Sequence, residues 1–328
     1  MAIITERDEV TFERLVEPHK RGLHAHCYRM LGSLHDAEDA YQEALLRAWR
    51  ALPRLREDAA LRAWLYRIAT NVCLNAIARR PKRVLPTDYG PSSPARHDVG
   101  GPESELLWLD PYPDAELESG YAAPEARYEQ REAVELAFVA ALQHLPAQQR
   151  AVLILREVLG FSARETSASL DTTVAAVNSA LQRARRTVEE RLPERSQQET
   201  VRALGDERAR DLLHHYIDAW ERNDVPAIVA LLAEDIIVEM PPWSAWWQGR
   251  DTIEALLGVP EKPCFEALRA IPVQANGQLA FASYGYEDGR FSAIGINVIA
   301  LRGERIQVAT GFVKPELLAR FDLPAELA

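Results

Sequence analysis

The sequence is poor in cysteine, with Cys27, Cys73 and Cys264 scattered through 328 residues. No two have metal-ligand spacing, and an odd number argues against a disulfide framework. A reducing compartment, the cytoplasm, is therefore expected. Long apolar runs are missing too. Nothing approaches the roughly 18 apolar residues of a membrane span, so no membrane partner is expected. The opening MAIITERDEV carries early acids and no apolar h-region, and no secretory leader is expected there. Lysine is scarce: only Lys20, Lys82, Lys262 and Lys314 among 38 basic residues, a bias suggestive of a GC-rich bacterial genome. HAHCY (His24–Tyr28) offers two histidines, but positions two apart on a helix face different ways. No metal and no cofactor is expected.

What is present points to globular domains. Hydrophobic residues make up 47%, enough for real cores, and the length suits two or three domains. The net charge of −11 is segmented: +4 over residues 1–83, −8 over 84–133, +1 over 134–203 and −8 over 204–328. Acidic segments of this kind repel DNA or shield basic surfaces.

The stretch from Leu145 to Arg191 reads as a helix-turn-helix behind a scaffold helix. Leu145-Pro146 opens the scaffold, and Gly160 ends it. Ser162 and Glu165 form a capping box for a short helix. Asp171-Thr172-Thr173 is a second break, with Thr172 expected as N-cap. On the final helix, Val174, Val177, Leu181 and Val188 keep a helical rhythm and are expected to face the core. Ala175, Asn178, Ser179, Gln182, Arg183 and Arg186 fall on the other side. Small residues let a helix approach the major groove, Asn and Gln pair with base edges, and Arg pairs with guanine or phosphate. The alternative is a core element with a solvated polar face.

Residues 1–83 read as helical throughout. A helix is expected from Thr11 to about Leu31, with Pro18 near its start. The next, DAEDAYQEALLRAWRAL, has acids at its N-terminal end and arginines toward its C-terminal end, as the helix dipole favours. A third, LRAWLYRIATNVCLNAIARR, interleaves Trp64 and Tyr66 with Arg67, Asn71 and Asn75. Rings stack on unpaired bases, amides read their edges and arginines hold phosphates. Ordinary core packing is the alternative for at least one of the two rings.

These three blocks, in this order and spacing, resemble an extracytoplasmic-function (ECF) sigma factor of the sigma-70 family over roughly residues 8–192. The resemblance implies two all-α domains, and it implies RNA polymerase core and promoter DNA as partners. Asp36, Asp39, Gln42, Glu43, Leu46 and Arg47 would dock on the polymerase core. The loop Pro53–Ala60 and the helix bearing Trp64, Tyr66, Arg67, Asn71 and Asn75 would capture the −10 element as a single strand. Capturing a base costs a few kcal/mol of unstacking, which an aromatic pocket offsets. Ala175, Asn178, Ser179, Gln182, Arg183 and Arg186 would read the −35 element as duplex. AAVNSALQ departs from the common run of the family, with Asn178 where an arginine is usual.

Residues 84–133 read as an acidic, proline-rich linker, interrupted by the apolar island LLWLDPYPD (Leu106–Asp114). A Trp and a Tyr in a polar linker should bind something. The island is similar to a tryptophan-leucine-proline linker motif of sigma factors that carry an extra C-terminal domain. Beyond a domain at 134–196 comes such a region, 204–328. Helices with Tyr216 and Trp220 precede strand-like segments separated by Asn276-Gly277, Asp288-Gly289 and Arg302-Gly303, which are hairpin signals. Helices followed by an antiparallel meander make an α+β layout. Residues 207–315 resemble the SnoaL-like domain, a cone with a pocket. The expected fold class is thus multidomain: two all-α helical domains, 1–83 and 134–196, plus an α+β SnoaL-like cone.

The cone's aromatic pocket candidates are Tyr216, Trp220, Trp243, Trp246 and Tyr284, with Trp247 and Tyr286 alongside; a small apolar molecule is the candidate ligand. Asp218, Asp235 and Glu239 are the acids available to a general base. Folds host many functions, and no catalytic residue is assigned. The resemblance implies instead a built-in regulator that contacts the sigma domains or linker. The competing reading is a ligand-binding or catalytic SnoaL-like protein with a DNA-binding regulatory half.

Overall fold

The computed structural model describes residues 9–54, 61–95, 101–103, 107–117, 132–258 and 267–327. Most of the loop Pro53–Ala60, together with Leu106 and Cys264, lies outside the described residues. The chain divides into two compact units. One holds Met1–Arg83 and Glu116–Pro193, the other Val84–Ala115 and Glu194–Ala328. The segment read as one linker is thus shared between them.

In the first unit, α1 (Glu9–Val16) and α2 (Lys20–Leu31) replace the single helix expected from Thr11. Pro18 lacks the amide a helix interior needs, and a 3-10 turn, Glu17–His19, separates the two. Gly32 ends α2 in the left-handed region (φ 69°), and the Ser33 hydroxyl caps α3 (Leu34–Ala51) by accepting from the Asp36 amide. Ala37, Ala40, Ala44 and Ala48 form the buried stripe of α3. Their small side chains let it lie close to α2 and to α4 (Leu61–Ile77).

The second half of this unit has α5 (Leu136–Gln143) and α6 (Ala147–Leu153), which runs on as a π-helical turn, Ile154–Val158. Gly160 follows at φ 70°. The Ser162–Glu165 capping box opens α7 (Ala163–Ser169), and α8 spans Val174–Glu189. Thr173, not Thr172, caps α8, its hydroxyl accepting from the Ala176 amide at 3.1 Å. Asp171, in the left-handed region at φ 49°, takes up the turn and moves the cap one residue on. The buried stripe of α8 is Val177, Ala180, Leu181, Ala184 and Val188. Val174 keeps the rhythm but is 43% exposed, because the first turn of the helix extends past the core that buries the rest.

In the second unit, α9 (Gln197–Leu204), α10 (Asp206–Glu221) and α11 (Val225–Ala230) lead into the sheet, and α12 (Arg250–Leu257) follows its second strand. The strands are β1 (Leu232–Glu239), β2 (Trp246–Gln248), β3 (Leu268–Ala275), β4 (Gln278–Glu287), β5 (Arg290–Arg302), β6 (Arg305–Phe312) and β7 (Glu326–Leu327). Their order is β2-β1-β6-β5-β4-β3, with β7 on β5, and among the described residues only the β1–β6 strand pair is parallel. Asn276-Gly277 and Asp288-Gly289 make two hairpin turns with both central residues at positive φ. The third turn is centred on Gly303-Glu304, one residue beyond the expected pair, because Arg302 still pairs with Arg305. The core packs Leu213, Tyr216, Ile217 and Ile228 of the helices against Ile236, Trp247, Phe281 and Ile299 of the sheet.

The linker's apolar island belongs to this unit. Val84 and Trp108 form a parallel bridge, and Pro113 bridges Ala275. The Tyr112 amide donates to Asn276 Oδ1 and the Asn276 amide to the Tyr112 carbonyl, both at 2.8 Å. Asp114 accepts from the Gly277 amide at 2.7 Å, and Lys314 pairs with Asp110 at 2.7 Å. Trp108, Leu109 and Tyr112 are buried. The island binds the chain's own C-terminal sheet.

Candidate nucleic-acid and polymerase interface

On α8, Ala175, Asn178, Ser179, Gln182, Arg183 and Arg186 are all exposed. The valine, alanine and leucine stripe buries the opposite side, so the helical repeat alone sets which residues are exposed. Arg186 meets Glu190 only at 4.0 Å on an exposed surface. Arg185, seven residues after Asn178 and so at the edge of the same face, is held by Glu157.

On α4, Arg67, Asn71 and Asn75 are exposed and recur every fourth residue, so they share a face. Trp64 is half-buried beside them. Tyr66 departs from the expectation: it is 3% exposed. Its ring packs edge-on against His26 (centroids 5.4 Å) and Phe161 (5.7 Å). Thr70 donates to the Tyr66 carbonyl at 2.6 Å, and its hydroxyl oxygen is 2.9 Å from His26 Nε2. Burial and the nearby Arg29 charge lower the His26 pKa to about 3. Tyr66 is a core ring here, and no base can stack on it in this arrangement.

On α3, Asp39, Gln42, Leu46 and Arg47 are exposed and Glu43 is half-exposed. Leu46, at 50% exposure, is a large apolar side chain in water. Glu43 accepts from Arg47 at 2.7 Å. Asp36 does not share this surface. It is buried and takes Arg80 on one carboxylate oxygen and Arg83 on the other. A carboxylate in the first turn of α3 is drawn to the cationic segment that follows α4, and the two guanidiniums satisfy it where water does not reach.

Arg62, which spacing did not single out, ties α4 to the helix-turn-helix. It donates to the Leu159 carbonyl at 2.8 Å and lies 4.4 Å from the Phe161 ring centroid. Arg67 meets Asp171 at 3.5 Å. The signals were the Phe after Gly160 and the Asp at the second break, but nothing local relates them to Arg62 or Arg67.

The C-terminal aromatics divide. Tyr216 and Tyr284 are buried, and Trp220, Trp243 and Trp246 are half-buried. Tyr216 packs against Trp220 and Phe281, each at 6.1 Å. The Tyr284 hydroxyl donates to the Pro324 carbonyl at 3.0 Å. Trp246 and Trp247 turn their indole N–H groups to the linker, donating to Gly90 O (2.8 Å) and Pro94 O (3.2 Å). Of the acids, Asp218 is exposed, and Arg302 holds the exposed Asp235 carboxyl below its ordinary range. Glu239 is buried, and burial raises its pKa to about 7. Its oxygens accept from Thr310 Oγ1 at 2.8 Å and from the Thr87 amide of the linker at 3.4 Å. Among the described residues, no group of three His, Cys, Asp or Glu side chains could hold a metal ion. No described helix is long and apolar enough to cross a membrane.

Residues 15–83 match the family Sigma-70 region 2, residues 135–188 match Sigma-70, region 4, and residues 213–309 match the SnoaL-like domain. The chain is 41% identical to the ECF RNA polymerase sigma factor SigG of Mycobacterium tuberculosis over 318 residues, 96% of this chain and 85% of that one. The chain is an ECF RNA polymerase sigma factor. The RNA polymerase sigma-H factor of Pseudomonas aeruginosa is 30% identical over 185 residues, 56% of this chain and 88% of that one. The crystal structure of Mycobacterium tuberculosis SigJ has the same fold, with a TM-score of 0.58 at 19% identity over 97% of this chain and 100% of that one. This ECF sigma factor thus carries helical sigma regions 2 and 4 followed by a SnoaL-like α+β domain. Sigma factors bind the polymerase core and promoter DNA and direct transcription initiation.

Proposed function

We propose that the three exposed faces divide the work of initiation. The α3 face, Asp39 to Arg47, docks on the polymerase core, with Leu46 as its apolar centre. Arg67, Asn71 and Asn75 of α4, with Trp64, engage the melted −10 strand. The α8 face reads the −35 duplex, as recognition helices do from the major groove. The observation that carries this is the exposure of all six α8 positions opposite a fully buried stripe. The sequence domains then act as 1–83 for core and −10 binding and 134–196 for −35 binding. The protein works by binding, in the cytoplasm, with no catalytic step of its own.

We further propose that the region 204–328 regulates initiation by gripping the linker. Trp246, Trp247, Asn276 and Glu239 hold backbone groups of residues 84–114, so the span available between regions 2 and 4 depends on that grip. A small apolar ligand at Tyr216, Trp220 and Trp243 is a second input to the same domain.

Run-off transcription with purified polymerase core, on promoters selected from genomic fragments, tests both readings. Full-length protein is expected to initiate, and a Trp246→Phe/Trp247→Phe variant to initiate at a different level. No core binding and no transcript would refute the assignment of the three faces. Equal transcript from the variant would refute regulation through the linker.

A further inference from the structure

Val174 opens α8 with an apolar side chain that the core leaves 43% exposed. We propose that Val174 is a specificity-determining residue, packing on the C5 methyl of a thymine in the −35 duplex, and that Asn178 and Gln182, in the same row, each pair with an adenine. This rests on the assignment of the α8 face to the −35 element above.

Val174 does not serve the helix start. It is the first residue of α8 after the Thr173 cap, not the residue before the cap, from which a hydrophobic staple would pack back onto the helix. As a β-branched residue it is a poorer helix former than alanine. Ala175 and Ala176 beside it are exposed too. With no long side chain in this first stretch, the backbone can come close enough to a base edge for a valine to touch it. The N-terminal residues of a recognition helix are the ones that reach base edges in the major groove.

Val174, Asn178 and Gln182 stand four residues apart and are all exposed. Each is turned about 40° from the one before, so they form one row that winds slowly across the helix. The row is about 12 Å long, the length of roughly three to four base pairs at about 3.4 Å each.

In the major groove, thymine is the base that carries an apolar group, its C5 methyl. A valine side chain has no donor or acceptor and so reads only that group. An Asn or Gln amide offers a donor and an acceptor side by side, the match to adenine N7 and N6. Guanine and cytosine lack their charged readers in this stretch. α8 has no arginine or lysine before Arg183 to take guanine O6 and N7, and no acid before Glu189 to accept from cytosine N4. The stretch from Val174 to Gln182 therefore selects A·T pairs, and Arg183 is the first residue of α8 able to take a guanine bidentately.

The test uses full-length protein assembled with polymerase core and measures binding to a selected promoter duplex in which single −35 bases are replaced. Deoxyuridine in place of a thymine removes only the C5 methyl, and 7-deazaadenine in place of an adenine only the N7 acceptor. One deoxyuridine is expected to weaken wild-type binding about fourfold, the worth of one buried methyl group. Val174→Ala is expected to bind the unmodified duplex about fourfold or more weakly and to ignore that deoxyuridine. The position is exposed and alanine favours helix, so this variant keeps its fold. 7-Deazaadenine at two adenines is expected to weaken wild type about fivefold each, with Asn178→Ala ignoring one and Gln182→Ala the other. No thymine whose methyl matters, or a Val174→Ala protein that responds to every deoxyuridine as wild type does, would overturn the thymine contact. A selected −35 element without A·T pairs would overturn all three contacts. Wild-type binding insensitive to every base replacement in the −35 element would instead overturn the assignment of α8 to that element.

Discussion

Replacing Glu239 with glutamine should remove a pH dependence that the C-terminal unit builds into itself. The carboxyl is 2% exposed. It accepts hydrogen bonds from Thr310 and from the Thr87 amide, but burial outweighs both, with Asp88 adding to it, and the pKa rises from 4.5 to about 7. The folded state therefore keeps this proton to a higher pH than the unfolded chain. Its stabilising contribution is complete below about pH 4.5 and is lost as pH rises through about 7. At about 1.4 kcal/mol per pH unit, the loss is on the order of 3 kcal/mol by pH 8. Glutamine is neutral at every pH and keeps an acceptor for Thr87. Variant and wild type should then be nearly equal near pH 5, and the variant more stable by about 3 kcal/mol near pH 8. Urea unfolding followed by tryptophan fluorescence measures this, because Trp108, Trp220, Trp243, Trp246 and Trp247 all lie in this unit. A difference between the two proteins that stays flat from pH 5 to 8 would refute the reasoning.

Three other substitutions probe other parts of the chain. Arg183→Ala should weaken −35 duplex binding by roughly 1–3 kcal/mol; in a gel-shift titration, normal binding would mean that another face of α8 reads the promoter. Asp36→Ala leaves Arg80 and Arg83 without their shared carboxylate. It should destabilise the first unit by about 2 kcal/mol, less than a fully buried pair would cost because Arg80 reaches water. Core binding in a pull-down should persist, and its selective loss would return Asp36 to the docking surface. Trp246→Phe removes the donor to Gly90 O and should cost about 1 kcal/mol. Faster amide exchange at the Ser93 N–H, which donates to the Trp246 carbonyl, is the expected readout, and unaltered protection would contradict it.

The helix-turn-helix was legible because its punctuation is local. A glycine, a Ser-x-x-Glu box and a threonine each act within a turn of where they stand, and even the cap moved by only one residue. Asp36 and Tyr66 were misplaced for the opposite reason. Their neighbours on the helix are polar or mixed, and what decides their burial lies far along the chain: Arg80 and Arg83 for one, Phe161 for the other. The α8 rhythm was right for Val177, Leu181 and Val188 and wrong for Val174, since periodicity gives a direction but not where the core stops. The aromatic island announced itself as a binding segment by composition. Its partner did not, because Asn276, which reads as a hairpin residue, also pairs its backbone and side chain with Tyr112 from 164 positions away.

The discontinuity of the second unit has a consequence for how the protein is made. Residues Val84–Ala115 are synthesised before region 4, yet the sheet they belong to is completed only near the end of the chain. At roughly 5–20 residues per second, Trp108, Leu109 and Tyr112 wait on the order of ten seconds or more for the surface that buries them. During that interval the nascent chain displays an apolar segment between two domains able to fold around it. A protein truncated after region 4 stays in that state permanently. Its behaviour would report an exposed hydrophobic linker as much as the loss of a regulator, so point substitutions in the clasp are the cleaner way to learn what the C-terminal domain does.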